Sequence, residues 1–298
     1  MLRRRMGATF VTGATGLLGA ALVGALLDRG DRVVALTRGR ALDPRCTAVL
    51  GDVADQALLA SAMDGADTVF HLAAQSLNGH GEPVDTYAVN VMGTVAVCEA
   101  ARQAAVPRVV IASSAAVYGP TTKPADEKAP IAPTNAYDSS KAAAELAARA
   151  YADSYNLDVA IARLTNVYGP GDRHASRLIP ELVAAVHDGR APALRSDGSP
   201  RRDHLYVDDA AQALLALAGR SDTYNIGSGR PVAVRDVVAA LERVAGRPLN
   251  ARYAQTTAPG PGDGQHVAID KVAAHTGWRP TTSLDDGLEA TLRGDARA

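Results

Sequence analysis

The sequence predicts an α/β protein built on a doubly wound parallel sheet. Short runs rich in β-branched residues alternate with alanine-rich amphipathic stretches; the runs are "TFVT", "RVVAL", "TVFHLAA", "RVVIASS" and "DVAIARL". Gly13, Gly16 and Gly19 follow the first run at three-residue intervals, which is the layout of a dinucleotide-binding turn. This alternation is typical of a parallel sheet with helices on both faces.

The first strand, the glycine turn and the next helix form one predicted βαβ unit. The helix is expected to begin near Gly16, and its apolar residues continue at helical spacing to Leu27, after which "DRG" ends it before "RVVAL". The segment has a second interpretation, since three arginines precede an uncharged run from Met6 to Leu27, as in a secretory signal or a membrane span. We favour the βαβ unit, because removal of a signal would take the first strand away.

The composition predicts a globular enzyme without the excess of positive charge that would favour binding to nucleic acid or to membranes. The 298 residues are 47% hydrophobic and 21% charged, with a net charge of −1. Cys46 and Cys98 lie in unrelated segments and the seven histidines show no ligand spacing, so we expect neither a disulfide scaffold nor a metal site. Free cysteines favour a reducing compartment, and we expect a cytoplasmic protein.

Residues 1–170 are expected to form a nucleotide-binding domain and residues 171–298 mainly a smaller substrate-binding lobe. Beyond residue 170 the alternation of strand-like and helical stretches becomes irregular, with turn-forming residues at 197–198 and 259–264. The stretch "RDHLYVDDAAQALLALAG" predicts a strand end and a helix. We therefore expect residues 203–226 to return to the main sheet.

The end of the second strand predicts which dinucleotide is bound. An enzyme that selects NAD usually has an acid there, whereas this chain has Thr37, then Arg38 and, after Gly39, Arg40. A guanidinium can pair with a 2′-phosphate, so we predict NADP(H), with NAD(H) as the alternative if these arginines are solvated loop charges. Asp52, after the third strand, is placed to contact the adenine, though it could equally cap the following helix.

Tyr137 and Lys141 are the candidate catalytic pair. They are four residues apart in a predicted helix, "NAYDSSKAAAELAARAYADSY", and therefore project from the same face. The phenol has a reference pKa of about 10, which must fall by about two or three units for proton transfer near neutrality. A neighbouring ammonium and a cationic nicotinamide would both favour the phenolate. The same spacing also occurs by chance on surface helices.

Ten motifs along nearly the whole chain carry a family resemblance. They are "TGATGLLG" (12–19), "GDV" (51–53), "HLAA" (71–74), "NVMGT" (90–94), "SSAAVYG" (113–119), "YDSSK" (137–141), "NVYGPGD" (166–172), "RRDHLYVDD" (201–209), "YNIGSG" (224–229) and "GWRP" (277–280). In this order they resemble the extended short-chain dehydrogenases/reductases of the NAD-dependent epimerase/dehydratase family, which includes UDP-galactose 4-epimerase. The resemblance implies a Rossmann domain and a smaller C-terminal substrate-binding lobe.

The resemblance also implies a cofactor site and a catalytic triad. The matching cofactor residues are Gly13, Thr15, Gly16, Leu17, Leu18, Thr37, Arg38, Asp52, Val53, Leu72, Ala73, Ala74, Asn90, Tyr137 and Lys141. Asn90 would line the cofactor pocket or position a helix. The family serine lies four residues before the tyrosine of "VYG", which selects Ser114 rather than Ser113. Ser114 would bind the reacting sugar oxygen, Tyr137 would transfer the proton, and Lys141 would hold the nicotinamide ribose and tune Tyr137.

Two departures from the family pattern narrow the expected chemistry. Related 4,6-dehydratases have acidic or charged residues directly after the serine, whereas this chain has Ala115 and Ala116, so we predict no dehydratase. This holds although "NVYGPGDRHASRLIPELV" and "LRSDGSPRRDHLYVDD" resemble the CDP-glucose dehydratase branch. In "PGPGD" (259–263) Pro261 stands where relatives often have an arginine that grips a diphosphate.

The expected substrate contacts are Ser114, Asn166, Arg177 and Arg202, which match the family's nucleotide-sugar residues. Both arginines have the geometry to clamp a diphosphate. Their alternative role is ion pairing with nearby acids, which are Asp203, Asp208 and Asp209.

Several functions remain open at this point. The leading hypothesis is an NADPH-dependent ketoreductase that acts on a nucleotide-activated 4-keto-6-deoxy sugar with Tyr137 as the acid. The alternative is a nucleotide-sugar 4-epimerase with a transient 4-keto intermediate; a ketoreductase of a non-sugar substrate and a non-catalytic cofactor sensor follow. We expect a homodimer formed through the helix of Tyr137 and Lys141, although the alanine face of that helix could equally face the sheet.

Overall fold

The computed structural model describes residues 7–76, 82–121, 123–255 and 266–295. The strands are β1 (Ala8–Thr12), β2 (Arg32–Thr37), β3 (Thr47–Leu50), β4 (Ala66–His71), β5 (Arg108–Ser114), β6 (Asp158–Leu164), β7 (Asn166–Tyr168), β8 (Ala193–Leu194), β9 (Arg201–Arg202), β10 (His204–Tyr206), β11 (Thr223–Ile226), β12 (Val232–Ala233) and β13 (Arg252–Tyr253). The predicted turn at 259–264 and Pro261 lie outside the described residues.

The helices alternate with these strands. They are α1 (Leu17–Asp28), α2 (Gln56–Ala62), α3 (Pro83–Tyr87), α4 (Gly93–Gln103), α5 (Ala136–Tyr155), α6 (Leu178–Asp188), α7 (Val207–Leu217), α8 (Val234–Ala245), α9 (Asp270–Thr276) and α10 (Leu284–Asp295), with a π-helical turn at Ala88–Met92 and a 3₁₀ turn at Ala115–Tyr118. None of the helices in the described ranges is both long enough and apolar enough to cross a membrane.

Seven parallel strands form the main sheet, in the order β11-β6-β5-β4-β1-β2-β3. The chain order reverses between β1 and β4, and ligands of such sheets bind in the crevice at the carboxyl ends of the strands at this point. The predicted doubly wound α/β fold is therefore confirmed.

The sheet has a hydrophobic core on each face. On one face Val11 of β1 packs with Leu22 and Leu26 of α1 and Leu214 of α7. On the other face Phe10 of β1 packs with residues of α2, α4 and α5, which include Leu59, Val97 and Ala148. Full burial of one such aliphatic side chain contributes about 1.5–3 kcal/mol, so the two cores supply most of the stabilisation of this layer.

The glycine turn between β1 and α1 depends on two close approaches of the backbone. Gly13 has a φ of +71°, and a Cβ there would lie 2.6 Å from the backbone nitrogen of Ala73. A Cβ on Gly19 would lie 2.1 Å from the Gly13 carbonyl oxygen. Helix α1 begins directly after Gly16 and ends at Asp28. The predicted βαβ unit is confirmed, and it accounts for the apolar run near the start of the chain.

Helices α6, α8 and α10 form a separate core beside the sheet. Leu182, Val237, Leu241 and Leu288 are buried together there with Tyr168 of β7. Helix α7 packs on α1, and β11 extends the main sheet beside β6. The division of the chain at residue 170 stays a prediction.

Candidate active site

The residues around the glycine turn could hold a dinucleotide. The turn, the first turn of α1 and the residues after β4 contain most of the predicted cofactor contacts, namely Gly13, Thr15, Gly16, Leu17, Leu18, Leu72, Ala73 and Ala74. Gly16 is the N-cap of α1 and no described side chain caps it. The first backbone N–H groups of this helix and the positive end of its dipole therefore suit a pyrophosphate.

The buried His71, at the end of β4, forms hydrogen bonds with residues of β1 and α4. The Nδ1 of His71 lies 2.8 Å from the Thr12 hydroxyl, and its Nε2 lies 3.1 Å from the Thr94 hydroxyl. The Thr12 hydroxyl oxygen also accepts the backbone N–H of Ala73 at 3.2 Å. Burial and the charge of Lys141 lower the pKa of His71 to about 3, so the imidazole is neutral. His71 begins the motif "HLAA", but nothing in the sequence signals this linking role.

Asn90 has no free amide hydrogen for a ligand. Its oxygen accepts the backbone N–H of Gln75 at 2.7 Å, and its nitrogen donates to the Gln75 carbonyl at 3.0 Å and the Ser140 hydroxyl at 2.8 Å. The side chain is buried in the π-helical turn. Of the two roles left open for Asn90, this arrangement fits the positioning of α5 and the loop after β4.

Two exposed arginines follow the end of β2, and the hydroxyl of Thr37 at this end is already hydrogen-bonded. Thr37 is buried, its hydroxyl donates to the Arg40 carbonyl at 2.8 Å, and it accepts the backbone N–H of Gly39 at 3.3 Å. Arg38 and Arg40 are exposed at this edge. The turn therefore uses the Thr37 hydroxyl in hydrogen bonds within its own backbone.

The alternative role of Asp52 as a helix cap is wrong. Its carboxylate accepts the backbone N–H of Ala54 at 3.0 Å, whereas α2 is capped by Asp55, which accepts the N–H of Leu58 at 3.0 Å. Asp52 is exposed. Val53 is buried and faces Gly93, where an added Cβ would lie 3.0 Å from the valine methyl.

Ser114, Tyr137 and Lys141 meet at the carboxyl end of β5. Ser114 is the last residue of β5, and Tyr137 follows the N-cap Asn135 by two positions on α5. The Ser114 hydroxyl acts on the Tyr137 phenol, whose pKa it lowers against the effect of burial. The Lys141 ammonium donates to the Ala112 carbonyl at 2.5 Å. The structure thus brings together the three residues predicted as the triad.

The expected lowering of the Tyr137 pKa by Lys141 is wrong for the chain by itself. Burial raises the pKa of the phenol, and the nearby Asp138 charge adds to this, while the Ser114 hydrogen bond and the charge of Arg177 act in the opposite direction. Burial also lowers the pKa of Lys141 to about 8. The reason is geometric, since the ammonium faces the Ala112 carbonyl of β5.

Ser113 has a structural role in a buried polar network. Its hydroxyl donates to Glu145 at 2.5 Å, and Glu145 accepts a two-pronged contact from Arg163, with Nε–Oε1 at 3.0 Å and Nη2–Oε2 at 2.7 Å. Arg163 also donates to the Tyr118 hydroxyl at 2.7 Å and lies over its ring at 4.7 Å. This network supports the choice of Ser114 over Ser113 for the triad. Its one sequence signal was a lone arginine in the apolar strand "DVAIARL".

The side chains directly after Ser114 are apolar and buried. Ala115 and Ala116 begin the 3₁₀ turn, and the N–H of Ala116 donates to the Ser114 hydroxyl oxygen at 3.1 Å. These two positions therefore supply neither a general acid nor a general base.

Arg177 stands at the opposite side of the site. It donates to the Asp172 carboxylate at 2.7 Å and to the Val167 carbonyl at 2.6 Å. The alternative role of Arg177, ion pairing with a nearby acid, is therefore present in the chain by itself, but its partner is Asp172 and not Asp203, Asp208 or Asp209. The charge of Arg177 acts on Tyr137 and on His204, and the charge of Arg202 also acts on His204. Arg177 is therefore within electrostatic reach of both Tyr137 and His204, and Arg202 is within reach of His204.

Asp203 is fully buried between Arg202 and His204. Its carboxylate accepts the backbone N–H groups of Ser228 at 2.8 Å and Gly229 at 3.0 Å. Its carbonyl accepts the backbone and the side-chain N–H of Asn166, both at 3.1 Å. Asp203 thus fixes β10 to β7 and to the loop after β11.

The sequence profile of the NAD-dependent epimerase/dehydratase family matches residues 9–227. The chain belongs to this family. It is an enzyme of the extended short-chain dehydrogenase/reductase type, as the motifs predicted.

Relatives of known structure or description agree with the family. The chain is 33% identical to a UDP-glucose 4-epimerase of Mycolicibacterium smegmatis over 95% of this chain and 97% of the relative. It is 30% identical to a dTDP-glucose 4,6-dehydratase of Streptomyces niveus over 95% and 90%. The structure of MoeE5 in complex with UDP-glucose and NAD matches with a TM-score of 0.88 and 32% identity, over 98% of this chain and 99% of that one.

Proposed function

We propose that this family member is a nucleotide-sugar 4-epimerase that works through a transient 4-keto intermediate. The observation that carries the proposal is the pair of hydroxyls from Ser114 and Tyr137 beside two buried alanines. One group that transfers a proton is enough for reversible oxidation of a carbinol, whereas elimination of water needs further acids and bases. The structural relative MoeE5 binds UDP-glucose and NAD, which supports a sugar nucleotide as the substrate class.

Each residue of the site has a proposed role in the epimerisation. Ser114 would hold the O4 hydroxyl of the sugar by a hydrogen bond, and Tyr137 would take the O4 proton and return it to the same oxygen. Lys141 would donate to the nicotinamide ribose and so orient the cofactor beside the phenol. Arg177 and Arg202 would bind the diphosphate and fix the sugar beside the phenol. When bound at the N-terminus of α1, a nicotinamide dinucleotide supplies the acceptor and the donor of hydride.

An NADPH-dependent ketoreductase is the second candidate function. It is favoured by the exposed Arg38 at the end of β2, where no acid is present to repel a 2′-phosphate. The substrate would then be a nucleotide-activated 4-keto-6-deoxy sugar, with Tyr137 as the proton donor to the alkoxide.

Cofactor retention distinguishes the two candidates. The purified protein is denatured, the released nicotinamide is identified, and the stripped protein and its Arg38→Ala variant are titrated with NADH and NADPH. Stoichiometric retained NAD and equal titrations of the two proteins support the epimerase. Exchangeable binding that prefers NADPH, with a preference that Arg38→Ala removes, supports the ketoreductase. Arg29→Ala, which removes an exposed arginine before the start of β2, at the opposite end of this strand from Arg38, is the control.

A turnover assay completes the test. Conversion of UDP-glucose to UDP-galactose without net change in the nicotinamide absorbance is expected for the epimerase. NADPH oxidation that depends on a 4-keto-6-deoxy nucleotide sugar would instead make the ketoreductase the function.

We also propose a homodimer formed through α5 and its neighbours. Large apolar side chains are exposed on elements that pack together around α5; they are Val84, Tyr87, Met92 and Leu146. Ala144 and Ala148 are buried, so the alanine face of α5 is directed inward and Leu146 carries the exposed surface. Leu146→Glu is expected to shift the mass measured by light scattering from two chains to one. A mass of one chain for the unmodified protein would reject the dimer.

A further inference from the structure

His204 carries a polar atom without a partner. Its Nε2 is buried and is the one buried side-chain nitrogen or oxygen in the described parts of the chain that has no hydrogen-bond partner. Because buried polar atoms in native proteins are almost always paired, such an atom indicates a missing partner group. The mechanism above does not use this residue.

The imidazole lies within electrostatic reach of both arginines that are proposed to bind the diphosphate. In the parallel pair of β10 and β7, His204 is opposite Asn166. Arg202 precedes it by two positions, and its charge and that of Arg177 both act on the imidazole. His204 therefore lies at the edge of the second core, against Tyr168, and within reach of both guanidinium charges.

The other ionisable groups around His204 do not neutralise this charge. The ring of Tyr168 meets the imidazole edge-on at 6.2 Å, and burial raises the pKa of this phenol, so it stays uncharged. Asp172 is paired with Arg177, and Asp203 accepts backbone N–H groups of the loop after β11. Burial and the two guanidinium groups lower the pKa of His204 to about 3, so the imidazole of the chain by itself is neutral.

We propose that His204 is a third ligand of the substrate's diphosphate and binds it in the protonated form. The proposal rests on the proposed function, because it requires a nucleotide sugar between Arg177 and Arg202. A diphosphate ester brings negative charge next to the imidazole and offsets the repulsion from both guanidinium groups. It also supplies oxygen atoms that can accept the orphaned N–H. Binding therefore takes up a proton, and affinity falls as pH rises through the pKa of the complex.

Calorimetry of UDP-glucose binding measures this proton directly. UDP-glucose is the probe because its diphosphate is esterified at both ends and does not titrate near neutral pH. The cofactor-loaded protein carries Tyr137→Phe to prevent turnover, and titrations at pH 6.5 to 8.5 use two buffers with different heats of ionisation. We expect uptake of a substantial fraction of one proton at pH 7 and weaker binding at higher pH.

Two variants separate the imidazole's charge from its shape. His204→Phe keeps a ring that can pack on Tyr168, and we expect it to abolish the proton uptake and to weaken binding by about tenfold or more at pH 6.5. His204→Gln keeps a neutral donor, so it should recover part of the affinity without the uptake. His187→Gln, which removes an exposed histidine of α6, is the matched control and should leave both quantities unchanged.

The possible results separate this proposal from the proposed function. If UDP-glucose binds and His204→Phe leaves proton uptake and affinity unchanged, the role of His204 is rejected and the nucleotide-sugar site stands. If neither UDP-glucose nor dTDP-glucose binds the cofactor-loaded protein, the proposed function and the role of His204 both fail. Thermal unfolding of each variant shows whether a loss of binding reflects a loss of folding.

Discussion

The two sides of the candidate active site differ in how completely their polar groups are paired. On the catalytic side, Ser113 and Glu145 are closed into a network with Arg163, and Asn90 has no free amide hydrogen. On the opposite side, His204 keeps a buried nitrogen without a partner between cations. The first side is built to hold geometry before any ligand arrives, whereas one buried nitrogen of the second has no partner among the described residues and is where we propose that a ligand binds.

The largest effect should follow from removing the phenol on the catalytic side. Tyr137→Phe is expected to lower turnover by about 10²–10⁴-fold, because it deletes the proton-transfer group and leaves the fold in place. Cofactor binding should not change, as measured by fluorescence titration. Tyr155→Phe, at the exposed end of α5, is the control. Undiminished turnover of Tyr137→Phe would reject the mechanism.

The buried network itself can be broken at one position. Glu145→Gln leaves Arg163 charged and buried, with an exposed fraction of only 1%, and should lower the free energy of unfolding by about 3–5 kcal/mol. Glu99→Gln breaks the exposed pair with Arg102 and should cost at most about 1 kcal/mol. Urea unfolding of both variants measures the contrast. Equal effects would show that the network does not hold the catalytic side together.

Acid should lower the free energy of unfolding because His71 becomes protonated on unfolding. The pKa of this imidazole is about 3 in the fold, below its ordinary value of 6.5, so its stabilising contribution is present above pH 6.5 and is lost as pH falls toward 3. We expect the free energy of unfolding to fall by about 2 kcal/mol between pH 7 and pH 5 from this group. His71→Gln should flatten the pH dependence measured by urea unfolding. His187→Gln should not, and a slope that is the same in both variants would contradict the assignment.

The smallest effect concerns the helix that carries Tyr137 and Lys141. Asn135 caps α5 by accepting the backbone N–H of Asp138 at 3.0 Å. Asn135→Ala should lower the melting temperature by an amount that corresponds to about 1 kcal/mol, and Asn135→Ser should restore most of it. If the two variants are equally stable, the cap does not contribute.

The sequence predicted local features better than pairings between distant residues. The glycine spacing gave the turn and the start of α1, because close backbone approach is a requirement of single positions. The partner of Arg177 was missed, since Asp172 lies in a loop whose path the sequence does not define. Arg163 was visible as a charge in an apolar strand, but Glu145 is 18 positions away on a helix. Such a pair becomes apparent only when the helix packs on the sheet.

The electrostatic predictions depended most on the fold. Spacing alone placed Lys141 on the same helix face as Tyr137, but the ammonium is directed toward the Ala112 carbonyl. Likewise, Asp52 could be proposed as a cap until Asp55 was found in that role. His204 gave no signal, because neither spacing nor composition reveals that a nitrogen will be buried without a partner.

The anchoring of Asp203 has a kinetic consequence. Since its carboxylate binds the loop after β11 and its carbonyl binds the start of β7, the backbone on either side of it, at Arg202 and His204, is fixed by two separate segments. If the proposed sugar nucleotide is the substrate, we expect its capture to need no slow closure of this strand and the encounter rate to follow attraction between the arginines and the diphosphate. Stopped-flow association should therefore slow steeply as salt is added, while dissociation should change less. An association rate that is insensitive to salt would mean that a conformational step controls entry.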